Sequence, residues 1–260
     1  MIYFRILGPV TCGADSPISI ETPKLRSFAA ALLLHRGQNL SYDRLANLLW
    51  DEPPPSATYN LRTYALRLRR TLGATGLGRR LITQRGGAGG YRLRVQPDEL
   101  DLTVFTALVR RGRAELLAGR ADSAARALGS ALGLWRGDAG EDVPLDTPLH
   151  RQLRMLDRER LDALEDHAQA RIIMGDLGAV VPELTSLSAA NPLRERLWDL
   201  LMRAQYLAGD LPAALATFDH ARELFNRELG VEVSPGLQRL QVSLLRHDLG
   251  AIRFQVAQPA

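Results

Sequence analysis

The residues best equipped for chemistry lie in one arginine-rich stretch, Ser56–Val95, which reads SATYNLRTYALRLRRTLG, a short spacer, and then RRLITQRGGAGGYRLRV. In its first half Leu61, Ala65, Leu68 and Leu72 recur at helical spacing, so at 100° per residue they form one narrow apolar face that a core can bury. The opposite face then carries Tyr59, Asn60, Thr63, Arg67 and Arg70, flanked by Arg62 and Arg69 on one side and Tyr64 on the other. These residue types suit double-stranded DNA. Arginine can donate two bonds to guanine and asparagine can do the same for adenine. Threonine packs on a thymine methyl, and flanking arginines hold phosphates and set the register. The competing interpretation is an ordinary solvated basic face, which is what most charge runs are.

Charge distribution favours the polyanion. The chain has 260 residues and a formal net charge of +4, yet residues 1–97 hold 14 Lys+Arg against 5 Asp+Glu, whereas residues 98–260 hold 19 against 24. A basic first half with its arginines concentrated in one stretch is the electrostatic footprint of a nucleic-acid binder, and an acidic second half needs other partners. Cys12 is the lone cysteine, so no intrachain disulfide forms. His35, His150, His167, His220 and His247 show no metal-ligand spacing, and no metal or other cofactor is expected. No leader pattern or long apolar span is evident, which points to a cytoplasmic, nucleoid-associated protein without membrane contact.

The elements needed to present such a helix can be read in order. Ile2–Val10 and Ile18–Glu21, joined through a turn at Gly13–Pro17, read as a small antiparallel sheet. Pro23 opens a helix in which Leu25, Phe28, Ala29, Leu32 and Leu33 are in phase, ending at Gly37. Ser41 is a good N-cap for a second helix over Tyr42–Trp50, with Leu45, Leu48 and Leu49 as its stripe. Asp51–Pro55 then stops it as a stiff acidic loop. After the arginine-rich helix, Leu81–Arg85 and Tyr91–Val95 read as two strands around Gly86–Gly90, a hairpin with Arg85 at its tip. Those glycines are poor candidates for a phosphate-binding loop, because no Gly-Lys-Ser/Thr follows and the chain enters a strand instead of a helix. Sheet, three helices and hairpin in this order make a winged helix-turn-helix.

Residues 1–95 resemble the OmpR-type winged-helix domain, on the motifs Leu48-Leu-Trp50, Leu68-Arg-Arg-Thr-Leu72 and Ile82–Leu93. The resemblance implies that the third helix enters the major groove with Thr63, Tyr64 and Arg67 at the bases. It places Trp50, Tyr59 and Arg69 at phosphates and Arg85 of the wing in the adjacent minor groove. Asn60, Arg62 and Arg70 on the helix and Thr83 and Tyr91 on the hairpin complete the expected DNA-contacting set. One departure stands out: the glycine turn between Arg85 and Tyr91 is longer than the usual Arg-Gly-x-Gly-Tyr.

From about Pro97 the sequence turns amphipathic, alanine-rich and helical throughout. Small-residue turns around Gly119, Gly175 and Gly209 align. Gly175 to Gly209 is 34 residues, the tetratricopeptide period, and Gly119 to Gly175 is 56, one period plus 22. The proline-bearing acidic segment Gly137–Pro148 is the natural place for a loop that takes up much of that excess. Asp157, Glu159, Asp162, Glu165 and Asp166 run with Arg154, Arg158 and Arg160 and read as a solvated, ion-paired helix face. Stacked helical hairpins suit protein partners, though a helical bundle that merely dimerises the chain would read similarly.

The expected layout is an α+β winged helix-turn-helix domain over 1–97, an all-α tetratricopeptide-like domain over 98–250 and a tail over 251–260. This arrangement resembles the Streptomyces antibiotic regulatory proteins, the SARP family, in which a winged helix precedes a bacterial transcriptional activation domain. The match is carried by Phe4–Pro9, Ala131–Asp138, Pro192–Trp198 and Ala213–Leu240. It implies an activator of a secondary-metabolite gene cluster that binds direct repeats near the promoter −35 element as a head-to-tail homodimer. The implied protein partner is RNA polymerase holoenzyme, both sigma factor and core subunits, reached through the acidic loop Asp51–Ser56, Leu66 or the concave face of the repeats. A small member lacking an ATPase module and a receiver domain is expected. An adaptor that uses its repeats to scaffold proteins is the main rival. An enzyme is the weakest, since no nucleophile, base and orienting group occur together.

Overall fold

A computed structural model describes residues 2–13, 17–87 and 89–254, and the chain gathers into two compact units, Met1–Leu108 with Ser130–Leu161 and Val109–Gly129 with Asp162–Ala260. The first unit opens with a three-stranded antiparallel sheet, β1 (Phe4–Arg5), β2 (Thr11–Cys12) and β3 (Ile18–Ser19), in which Phe4 faces Cys12 and Thr11 faces Ser19. The first apolar segment, Ile2–Val10, therefore supplies β1 alone, and an additional strand, β2, follows it. Gly8, at φ +126°, turns the chain inside that segment, a conformation that side-chain-bearing residues rarely adopt. Of the turn expected at Gly13–Pro17, residues 14–16 lie outside the described residues, as do Ala88 of the glycine turn and positions 255–260 of the tail.

Three helices follow: α1 (Pro23–Leu34), α2 (Tyr42–Leu49) and α3 (Ala57–Ala74). Pro23 begins α1 because the first helical N–H has no partner to lose, and the helix ends short of Gly37, which takes φ +76° in the following turn. Ser41 caps α2, its hydroxyl accepting from the Arg44 N–H at 3.2 Å. Leu25, Phe28, Leu45, Leu49, Leu61, Ala65, Leu68 and Leu72 are buried, the phase expected for each helix. At roughly 1.5–3 kcal/mol per buried leucine, this shared core fixes the rotation of α3 about its axis and so decides which residues it shows to solvent. The hairpin β4 (Leu81–Gln84) and β5 (Gly90–Leu93) pairs Leu81 with Leu93 and Thr83 with Tyr91. Leu40 adds a bridge to β5, exchanging two 2.9 Å backbone bonds with Tyr91.

The same unit contains the start of α4 (Asp101–Leu117) and the segment Gly133–Thr147 between α5 (Ala121–Leu132) and α6 (Pro148–Met174). That segment bonds to the chain around Gly8. The Arg136 N–H donates to Leu7 O, the Gly140 N–H to Ile6 O and Gly8 O, and the Val10 N–H to Asp142 Oδ1, all at 2.9 Å. The excess spacing read from the glycines is thus divided between this loop and α6 itself, which has 27 residues where α8 has 13.

The second unit is helical: the later part of α6, then α7 (Leu177–Ala190), α8 (Glu195–Leu207), α9 (Leu211–Leu229), α10 (Pro235–Leu245) and the short α11 (Leu249–Ile252). Gly119, Gly175 and Gly209, the three aligned turn residues, all have positive φ (72°, 82° and 90°). One correction concerns the acidic run of α6. Glu165 is fully buried and Asp166 nearly so, not solvated. Arg194 and Arg196, about thirty residues later in sequence, bring their guanidinium groups to Glu165 at 2.7 and 3.3 Å. Arg196 and Arg113 each reach Asp166 at 2.6 Å. Helical spacing sees partners one turn away and cannot see these.

Candidate nucleic-acid interface

The expected face of α3 is exposed. Tyr59 is 73 % accessible, Arg62, Arg67 and Arg70 are exposed, and Leu66 also projects outward. Asn60 and Thr63 are half-buried and use local partners. The Asn60 side chain donates to Ser56 Oγ at 3.2 Å, and the Thr63 hydroxyl donates to the Tyr59 carbonyl at 3.2 Å. The Thr63 hydroxyl proton is therefore committed to the helix, which leaves its oxygen as an acceptor. Arg67 and Arg70 line an open groove of about 590 Å³ against Ile18, Ser19 and Glu21.

Behind this face runs a line of aromatic rings. Trp50 stacks on Tyr64 (centroids 6.3 Å, 25°), Tyr64 lies 6.3 Å from Phe28, and Phe28 meets Tyr91 edge-on at 5.5 Å. Tyr91 in turn meets Tyr42 edge-on at 5.6 Å. Lys24 Nζ sits 5.2 Å from the Trp50 ring and donates to the Leu49 carbonyl at 2.7 Å, closing the C-terminus of α2. Burial pushes the Tyr64 hydroxyl up from its ordinary pKa, partly opposed by the charge of Arg67. The two flanking arginines rest on this line: Arg62 lies 5.9 Å from the Tyr42 ring and Arg69 6.0 Å from the Tyr91 ring.

Two expectations change. Tyr91, expected in the DNA-contacting set, is only 3 % exposed, so its ring belongs to the core and leaves little surface for DNA. Its hydroxyl is pushed up to about 12 by burial and by a hydrogen bond with Tyr42. Strand alternation points it inward, where α1 and Tyr42 receive it. Arg85 lies beyond the end of β4, not within the strand, exposed beside Gly86 and Gly87 at φ +88° and +54°. Thr83 is exposed on β4. Arg69 is partly engaged: its Nε and Nη2 donate to the Leu81 carbonyl at 3.3 and 3.2 Å, and Nη2 donates to Thr83 Oγ1 at 2.6 Å.

Sequence reasoning missed the supports. Leu40, which carries the wing, and Gly90, whose hydrogen faces the Leu40 backbone, showed no pattern beyond a glycine before Tyr91. Among the described residues no group of three or more His, Cys, Asp or Glu could hold a metal ion, and no helix is long and apolar enough to cross a membrane.

A winged helix-turn-helix with an exposed arginine face, joined in one chain to an all-helical domain, defines a DNA-binding transcription regulator as its class. Residues 18–93 match the family described as transcriptional regulatory protein, C terminal, and residues 100–245 match the bacterial transcriptional activator domain. Regulatory protein DnrI of Streptomyces peucetius is 35 % identical over the whole chain, which spans 97 % of that relative. Regulatory protein AfsR of Streptomyces griseus is 37 % identical, but the chain spans only 26 % of its length. A solved structure of Mycobacterium tuberculosis EmbR in complex with low affinity phosphopeptide superposes with a TM-score of 0.87 at 32 % identity, covering 94 % of this chain and 65 % of that one. The chain belongs to the Streptomyces antibiotic regulatory protein family of transcriptional activators, whose members are regulators and not enzymes.

Proposed function

We propose that this protein activates a secondary-metabolite gene cluster by binding direct repeats near the promoter −35 element and recruiting RNA polymerase. The observation that carries the reading is the exposed α3 face, on which Tyr59, Arg62, Arg67 and Arg70 stand clear of the core while aromatic rings brace the flank. Arg67, Thr63 and Tyr64 read bases. Trp50, Tyr59, Arg62 and Arg70 hold the backbone, Asn60 lies beside the base-reading set, and Arg85 enters the minor groove from the wing. Direct repeats place two protomers head to tail, a heterologous contact. Polymerase, through sigma factor and core subunits, meets the acidic loop Asp51–Ser56, Leu66 and the repeats. The site of action is the cytoplasmic nucleoid.

Selection of bound fragments from a random DNA pool tests sequence-specific binding and the tandem arrangement. One motif repeated in tandem at fixed spacing is the expected result. Recovery of fragments with no shared motif refutes sequence-specific binding, and inverted motifs refute the head-to-tail arrangement. In vitro transcription from a recovered site with purified holoenzyme then tests recruitment, which should raise initiation only when the site lies near −35.

A further inference from the structure

The bond between Arg69 and Thr83 determines what Thr83 can offer. Arg69 donates and cannot accept, so its 2.6 Å contact occupies a lone pair of the Thr83 hydroxyl and leaves the hydroxyl proton to be given elsewhere. Among the described residues no protein group accepts that proton, and Thr83 is exposed. Thr83 is therefore a donor aimed at solvent from the strand that leads into Arg85. Arg69 cannot easily move away from it. Two further bonds to the Leu81 carbonyl and the Tyr91 ring beneath hold the guanidinium where α3 meets the wing.

We infer that Arg69 is a positioning residue, fastening the wing to the recognition helix and turning the Thr83 hydroxyl into a donor for a DNA phosphate oxygen, an acceptor-only group. This assignment rests on the DNA-binding reading above. It adds a second duty to the expectation that Arg69 lies against a phosphate, since its three bonds use Nε and Nη2 only. The two roles differ in coupling. An arginine that only contacts a phosphate acts independently of Thr83, so the two substitutions add, whereas a positioning arginine makes the effect of Thr83→Val depend on itself.

The test uses the full chain and a fragment recovered from the random-pool selection. Binding is measured at fixed salt for wild type, Arg69→Ala, Arg69→Lys, Thr83→Val and the doubles with Thr83→Val. Arg69→Ala should lower affinity, and adding Thr83→Val to it should change affinity by no more than about twofold. Thr83→Val should weaken the wild type about tenfold, yet change the Arg69→Lys protein by no more than about twofold, because lysine keeps the charge but cannot make the forked bonds. Thermal unfolding of each variant identifies any loss caused by misfolding, and Arg69→Lys supplies the second, milder substitution. Equal and additive effects of Thr83→Val in the wild-type and Arg69→Lys backgrounds overturn the inference while leaving the DNA reading in place. Failure of the wild-type chain to prefer the selected fragment over random DNA refutes the DNA reading itself.

Discussion

Replacing Asp101 by alanine should loosen the first unit at a single buried point. Its carboxylate, almost wholly buried at the start of α4, accepts from the backbone N–H of Ile6 (2.9 and 3.0 Å), Leu7 (3.0 Å) and Leu102 (2.8 Å), with the Arg136 guanidinium 3.6 Å away. Alanine leaves three donors without an acceptor, and each buried orphan costs about 1–3 kcal/mol. Two effects reduce the total. Water can enter the small space, and the cost of burying a charge disappears. That cost is visible in the carboxyl pKa, which burial raises against the lowering effect of its backbone bonds and Arg136. A net loss of about 2–4 kcal/mol is expected, a large fraction of the roughly 5–15 kcal/mol that holds a typical domain together. Because the folded pKa is raised, the native chain holds this proton more tightly than the unfolded chain. Its contribution is fully present below the ordinary carboxylate range and is lost as pH rises through the raised folded value. Asp101→Asn should therefore remove this part of the pH dependence. Denaturant unfolding with amide exchange at Ile6 and Leu7 is the assay. A loss under about 1 kcal/mol with unchanged exchange at both amides would refute the reasoning.

Arg67→Ala should cost about 1–3 kcal/mol on the selected DNA site and relax its sequence preference, measured by repeating the random-pool selection. Gly90→Ala sets a methyl against the Leu40 carbonyl at φ +139°, so about 2–4 kcal/mol of stability should be lost and the melting temperature should drop. Tyr91→Phe keeps the buried ring and removes only the bond to Tyr42. It should cost about 1 kcal/mol and leave DNA affinity unchanged. In the wild type that bond's contribution should fade as pH rises from the ordinary tyrosine value of about 10 through the folded value of about 12, a trend Tyr91→Phe should lack. Glu165→Ala deprives Arg194 and Arg196 of a buried partner. With their side chains 33 % and 40 % exposed, the loss should be about 1–3 kcal/mol, read by chemical unfolding.

The sequence by itself determined whatever depends on period and on single-residue backbone preferences. Leu61, Ala65, Leu68 and Leu72 set the buried face of α3 and hence the exposed one. Gly119, Gly175 and Gly209 marked turns that all proved to need positive φ, and Ser41 and Pro23 marked helix starts. These features follow from local geometry, which a chain carries wherever it folds. Tertiary structure alone decided which polar groups meet partners far away in sequence. It buried Tyr91 against Phe28 and Tyr42, took Glu165 from a solvated face to Arg194, and gave Asp101 to Ile6 and Leu7, 95 and 94 residues away. It also engaged Arg69 with Thr83. A hydrogen bond forms where donor and acceptor converge in space, and only the packed core, by setting the rotation of each helix and the register of the wing, brings these groups together.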